Sequence, residues 1–350
     1  LPERQGVMRY SMPWALAVTT TGVLLFGGFD ASAQCPPGST LIGTRTLLTS
    51  GPAPNGVAIA DFDRDGIPDF AITNSDRHQG GEAAPGTLTL FHGRGTGGVG
   101  DGTFDPAVNL ACGLSPLGIA AGHLNGDAWT DLVVAAWGEG KLLVFLGQPG
   151  GTIASPARYA TGTRPHHLVL ADFIGDGILD VAVANNGEAS VSVLLGQGSD
   201  HVGDGTFGPK TNYALRTIAL GIAAADLDGD GITDLAVSQT YNANVAILLG
   251  NGSAGVGSGT FRPARYVAAG PQPYALTAAD LNGDSRTDLV VGNGNSEGVF
   301  LLMGRPDTTL FDAPTTTGPL DNAADVRVSD VDKDGVPDLV VVYSSGNRLS

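Results

Sequence analysis

The stretch IAAADLDGDGITD, residues 222–234, decides the fold. An apolar run leads into alternating aspartates and a glycine, and a second apolar run, Leu235-Ala-Val-Ser238, follows at once. Short apolar runs separated by an Asp/Gly turn read as two adjacent strands rather than a helix. The pattern recurs at residues 57–69, 119–131, 168–180, 276–288 and 326–338, so that six units repeat along the chain. Their loops open at positions 61, 123, 172, 226, 280 and 330. Each of the first five units goes on to a third apolar run ending in glycine, as in residues 245–250. A Gly-rich turn follows, often closing in Gly-Thr-Phe (102–104, 205–207, 259–261), and then a half-polar strand such as 264–267. Four short strands per roughly fifty residues, without a helix, predict an all-β protein: a β-propeller of four-stranded blades. First strands rich in small residues, such as Gly118, Ala120 and Ala121, suit the crowded position next to the axis.

Composition agrees. Of 350 residues 53 are Gly and 21 Pro, charged residues are only 15% and hydrophobic ones 42%, too apolar for disorder and too rich in chain breakers for helical bundles. The balance of 18 basic to 35 acidic residues, with three lysines, excludes sequence-independent binding of nucleic acid, which needs clustered cations on phosphate. The sequences at 93–98 and 250–255 match G-x-G-x-x-G but open no helix, so they are repeat turns and not phosphate loops.

The acidic loop, the Leu-Leu-Gly-x-Gly turn and the Gly-Thr-Phe element resemble FG-GAP/VCBS repeats, the type found in integrin α-subunit propellers and in many secreted bacterial proteins. The resemblance covers residues from about 45 to the end. It implies a propeller and a role in binding or adhesion to a glycan or extracellular protein. The number of blades stays open between a six-bladed ring with one thin blade and a truncated seven-bladed one. Residues 41–50 match a fourth strand, which would close the ring by completing the C-terminal blade.

The loop template is D-x-[D/N]-x-[D/N]-G-x-x-D. Asp61, Asp63, Asp65 and Asp69 fill it, as do Asp226, Asp228, Asp230 and Asp234, and Asp330, Asp332, Asp334 and Asp338. Asp280, Asn282, Asp284 and Asp288 fill it except that Ser285 replaces the glycine. The third loop keeps Asp172, Asp176 and Asp180 around Ile174, and the second keeps Asn125, Asp127 and Asp131 behind His123. Alternate acids followed by glycine resemble the start of an EF-hand loop, although no Glu follows at position 12 and a strand replaces the helix. Hard oxygen donors select Ca²⁺. Twenty of the 35 acids lie in these loops. Two carboxylates about 4 Å apart repel by roughly 1 kcal/mol in water and about 4 kcal/mol at an effective dielectric of 20, so several Ca²⁺ ions are expected, one per intact loop. The alternative is a set of Asx-turns in solvated loops.

The N-terminal segment reads as an export signal: Arg9, an apolar run over residues 12–26, and Ala31-Ser32-Ala33 as cleavage site. Residues 34–350 are then the propeller, secreted or extracytoplasmic, with no transmembrane segment. That compartment permits a disulfide between Cys35 and Cys112. The acidic loops join first to second strands, so the second-to-third turns and the crossovers gather at the other rim. There Trp137, Glu139, Asn186, Glu188, Tyr241, Asn244 and Asn293, with Arg164, His166 and Tyr274 from the crossovers, form the expected ligand face. His166-His167 is expected between strands at the surface. Two other functions remain: a polysaccharide lyase or hydrolase on a propeller scaffold, or a structural module of a larger surface protein. An enzyme should place one cluster of unlike polar residues in the central channel, and the sequence displays none.

Overall fold

The computed structural model describes residues 15–19, 22–26, 45–75, 83–294, 298–318, 322–331, 334–343 and 348–349. Five antiparallel four-stranded sheets follow one another from residue 54, and a three-stranded sheet succeeds them. In the fourth unit the strands are Ile222–Ala225, Asp234–Gln239, Asn244–Leu248 and Arg265–Ala268, hydrogen-bonded in that order. The other units begin with Pro54–Ala60, Pro116–Gly122, Pro165–Ala171, Pro273–Ala279 and Ala323–Ser329. Among the described residues the helical content is one 3₁₀ turn, Thr240–Asn242.

Burial explains the order of strands. Every residue of the second strands Asp69–Asn74, Asp131–Ala136, Asp180–Asn185, Asp234–Gln239 and Asp288–Asn293 is buried. Their unbroken apolar runs are therefore covered on both faces, because each sheet packs against its neighbours. One core cluster joins Ala182, Val191 and Val193 of the third unit to Leu235, Val237 and Leu248 of the fourth. Each of these valine and leucine side chains contributes about 1.5–3 kcal/mol when fully buried. First strands of consecutive units lie against one another at the centre. The small residues there are required sterically: a Cβ on Gly118 would sit 2.5 Å from the His166 carbonyl oxygen, and one on Gly221 2.4 Å from that of Tyr274.

The Gly-Thr-Phe element is more than a turn. It forms its own two-stranded hairpin, Gly250–Ser253 with Val256–Phe261 in the fourth unit and Gly196–Ser199 with Val202–Phe207 in the third. Each hairpin reaches the acidic loop of the preceding unit. Gly205 donates its N–H to the Leu124 carbonyl at 2.9 Å, and Asn125 and Asp204 form a β-bridge. Local periodicity carries no signal for a contact about eighty residues away, so in sequence the element has the pattern of a turn alone.

Two expectations are corrected, and a third falls in part outside the described residues. Arg45–Leu48 does form a strand, but its partner is Gly22–Phe26, itself paired with Ala15–Thr19, and not the C-terminal sheet. Cys112 is a free thiol, wholly buried, and burial pushes it up to about 12. Cys35 lies outside the described residues. Finally, His166 and His167 belong to the strand Pro165–Ala171 near the axis, with His166 only 9% exposed.

Candidate functional site

The loops are built from their ends. In the fourth unit, Leu227 and Ile232 are buried and anchor the turn on the core, while the acids between them face outward. The first aspartate folds back over the loop: Asp226 Oδ1 accepts the N–H of Gly229 at 2.7 Å and its Oδ2 that of Gly231 at 2.8 Å. The last one does something the template did not disclose. Asp234 is 1% exposed, its Oδ2 accepts the N–H of Leu227 at 2.9 Å and its Oδ1 that of Gly250 at 2.6 Å. The same double acceptance recurs at Asp69, Asp131, Asp180 and Asp288. Asp338 likewise accepts from Val331. This carboxylate straps the loop to the end of the third strand. Glycine is needed there because a Cβ on Gly250 would lie 2.6 Å from Ile232 Cγ2. A carboxylate has about four lone-pair sites, so two amide hydrogen bonds orient it without exhausting it.

The loops differ in how they manage their charge. Asp61, Asp63 and Asp65 bring one oxygen each within 4.8 Å of one another, and so do Asp226, Asp228 and Asp230. These two oxygen-only clusters fit a hard divalent cation. Burial first, and then neighbouring carboxylates, raise Asp63 and Asp228 above the usual carboxylate range. Elsewhere side chains relieve the repulsion. Asn125 Nδ2 donates to Asp127 at 2.9 Å, and Asn282 Nδ2 to Asp284 at 3.2 Å. Asp284 also pairs with Arg286 at 3.1 Å. Ile174 packs beneath the Gly259 turn of the next hairpin. The last loop keeps Asp330, Asp334 and Asp338 exposed or half-buried, while Asp332 lies outside the described residues.

The opposite rim holds a cavity of about 640 Å³. Trp137, Asn186, Thr240, Tyr241 and Gly294 reach it from the second-to-third turns of four units. His166, Leu220, Gln272, Tyr274 and Asn322 come from the crossovers and first strands. Of the ten expected ligand-face residues, Trp137, His166, Asn186, Tyr241 and Tyr274 line it, and Arg164 stacks over the Trp137 ring at 4.9 Å from the centroid. The other four serve the framework or sit apart. Glu139 accepts the Leu114 N–H at 3.0 Å, and Glu188 accepts from Ser190 Oγ at 3.0 Å. Asn293 is wholly buried and Asn244 half-buried at strand ends.

Below the mouth the channel breaks the repeat symmetry. His166 Nδ1 and His167 Nδ1 are 3.0 Å apart, and both rings meet Tyr274 edge-on at 5.9 and 6.2 Å. Deeper, His167 shares a small cavity of about 70 Å³ with the ion pair Asp325–Arg327. Burial holds His167 below the ordinary histidine range. The sequence showed no such cluster because its members come from units far apart in the chain.

Repeated four-stranded sheets, with acidic loops on one rim and an aromatic mouth on the other, define a repeat-built β-propeller. A profile of the FG-GAP-like repeat matches residues 123–183, 172–237, 226–291 and 280–341, and the chain belongs to that family. Among curated proteins no sequence matches it. Among solved structures it is similar to BBS1N in complex with ARL6DN, at 12% identity and a TM-score of 0.56 over 97% of this chain and 91% of that one. It is also similar to a protein from Lactobacillus plantarum, at 14% and 0.59 over 97% and 93%, and to a functionally unknown protein from Desulfotomaculum acetoxidans, at 12% and 0.54 over 95% and 89%. These likenesses establish the fold. Among the described residues no helix is long and apolar enough to cross a membrane.

Proposed function

We propose that the protein is an exported, calcium-braced binding module whose axial mouth takes a glycan. One observation carries the reading. In a chain with 35 acidic residues, the described residues that line the mouth supply three aromatic rings, three amide side chains and a histidine, and no carboxylate is among them. Sugar rings offer apolar faces that stack on aromatic rings, and hydroxyls that need donors and acceptors together, which Asn and Gln supply. Calcium ions held by the Asp61 and Asp226 loops would stiffen the far rim, and residues 1–33 would direct export.

The test is a glycan array on the mature protein, with Trp137→Ala and Tyr274→Ala measured against any sugar that binds. Each substitution is expected to weaken binding by about tenfold or more, since aromatic anchors in pockets dominate such interfaces. Unchanged affinity would remove the mouth from the account. A polysaccharide-active enzyme is the second reading, favoured by the His166–His167–Tyr274 cluster at the floor of the mouth. New reducing or unsaturated ends after incubation with the bound glycan would decide for it. A protein occupant would show as an empty array. The fold neighbour BBS1N, solved with ARL6DN, illustrates that alternative on the same architecture.

A further inference from the structure

We infer that the first acidic loop carries a mixed nitrogen–oxygen site for a divalent first-row transition ion, formed by His92, Asp63 and Asp69. His92 Nδ1 lies 3.2 Å from Asp69 Oδ2 and 3.8 Å from Asp63 Oδ2, and the three donor atoms lie within 4.8 Å of one another. Metal bonds of about 2.0–2.2 Å at tetrahedral angles place neighbouring donors roughly 3.3–3.6 Å apart. The two separations from His92 bracket that value.

The histidine is a departure from the repeat. It precedes the glycine that ends the third strand, where the other units carry Leu146, Leu195, Leu249 and Met303. Those positions are apolar, so an imidazole at this one point brings a nitrogen donor to a loop that otherwise offers oxygen alone. Asp69 is wholly buried and aimed by the N–H groups of Phe62 and Gly93, both at 2.7 Å. The two other side chains are partly exposed, His92 at 14% and Asp63 at 26%, which leaves a path for the ion and for a completing water. The second unit covers them with Gly151: a Cβ there would lie 2.5 Å from His92 Cε1 and 2.8 Å from Asp63 Cβ. Two carboxylates balance a dication, and the nitrogen donor shifts preference from Ca²⁺ and Mg²⁺ towards zinc and its neighbours. The Asp226 loop, with Leu249 in place of the histidine, is the internal control. This inference is independent of the glycan reading. It shares Asp63 with the calcium reading, and the two are separable because calcium has the Asp226 loop as well.

The experiment titrates the purified metal-free chain with Zn²⁺ in the presence of millimolar Ca²⁺, and with Co²⁺ followed by its visible absorption. One equivalent of Zn²⁺ should bind despite the calcium, and Co²⁺ should give the intense bands of a four-coordinate site. His92→Leu, which restores the residue of the other units, should weaken Zn²⁺ by about a hundredfold or more and abolish the Co²⁺ bands. Calcium binding at the Asp226 loop should be unchanged, and calcium-dependent thermal unfolding reports that the variant is folded. His92→Gln, which retains a polar side chain without the imidazole donor, should lose the bands as well. Equal Zn²⁺ affinity in wild type and His92→Leu, or no binding by the wild type, would leave His92 as a hydrogen-bond partner of Asp69 and overturn the site. Zinc lost while calcium is retained in His92→Leu supports the site whether or not any sugar binds. Calcium lost from wild type and variant alike sinks the calcium reading alone.

Discussion

Replacing Asp234 by alanine is expected to lower the stability of the metal-free protein by about 3–4 kcal/mol, whereas Asp230→Ala should change it by less than about 0.5 kcal/mol. Both residues fit the same loop template, yet their surroundings differ. Asp230 is exposed and its Oδ1 accepts the N–H of Ile232. Asp234 is buried, and removing it strands the N–H groups of Leu227 and Gly250 where water does not reach. Each buried orphan donor costs about 1–3 kcal/mol. Asp234→Asn keeps one acceptor oxygen and should fall between the two. Urea unfolding with a chelator present makes the comparison, since no bound ion then contributes. Equal losses for the Asp230 and Asp234 variants would show that the last aspartate is a ligand only and that the strap is not what holds the loop.

The metal-free protein should be more stable near pH 5 than near pH 8, and calcium should reverse this order. Burial, ahead of every other cause, pushes Asp180 up to about 6 and Asp234 up to about 7, against an ordinary 3.8. A carboxyl raised in the folded state binds its proton more tightly there than in the open chain. Its contribution is complete below the unfolded value and is lost as pH rises through the folded one. For these two groups the window runs from about pH 4 to about pH 7. A cation among the loop acids competes with those protons, so its effect should grow as pH rises. A site whose dissociation constant is 100-fold below free Ca²⁺ adds about 2.7 kcal/mol. Thermal scans at both pH values, with chelator and with calcium, provide the check, and Asp234→Asn should flatten the chelator curve. If calcium leaves the midpoint unmoved at pH 8, the Asp61 and Asp226 clusters are Asx-turns.

The six acidic loops, the four-strand order and the opposite placement of loops and mouth were legible in the residues alone. Strand alternation, glycine and aspartate at fixed offsets, and the antiparallel connection rule are local properties, and the repeat states each of them several times. Trp137, Asn186 and Tyr241 could be placed at the far rim for the same reason. Sequence does not distinguish an acid in a turn that faces solvent from one held by a neighbour: Glu139 accepts the Leu114 N–H and Glu188 the Ser190 hydroxyl.

What the amino-acid sequence determined by itself was the unit: its strands, its loop and its period, all governed by interactions within about fifty residues. What only the tertiary structure decided was which side chains meet once strands have paired and sheets have packed. The last aspartate becomes a strap because Gly250 comes within 2.6 Å of it, sixteen residues on in chain but adjacent across the sheet. The channel cluster exists because His166, Tyr274 and Asp325 converge on the axis from three units. The first loop acquires a nitrogen donor because the third strand delivers His92 to Asp69 and Asp63. The physical reason is common to all three: side-chain chemistry acts over a few ångströms, and those distances are set by how strands pair within a sheet and how sheets pack against one another.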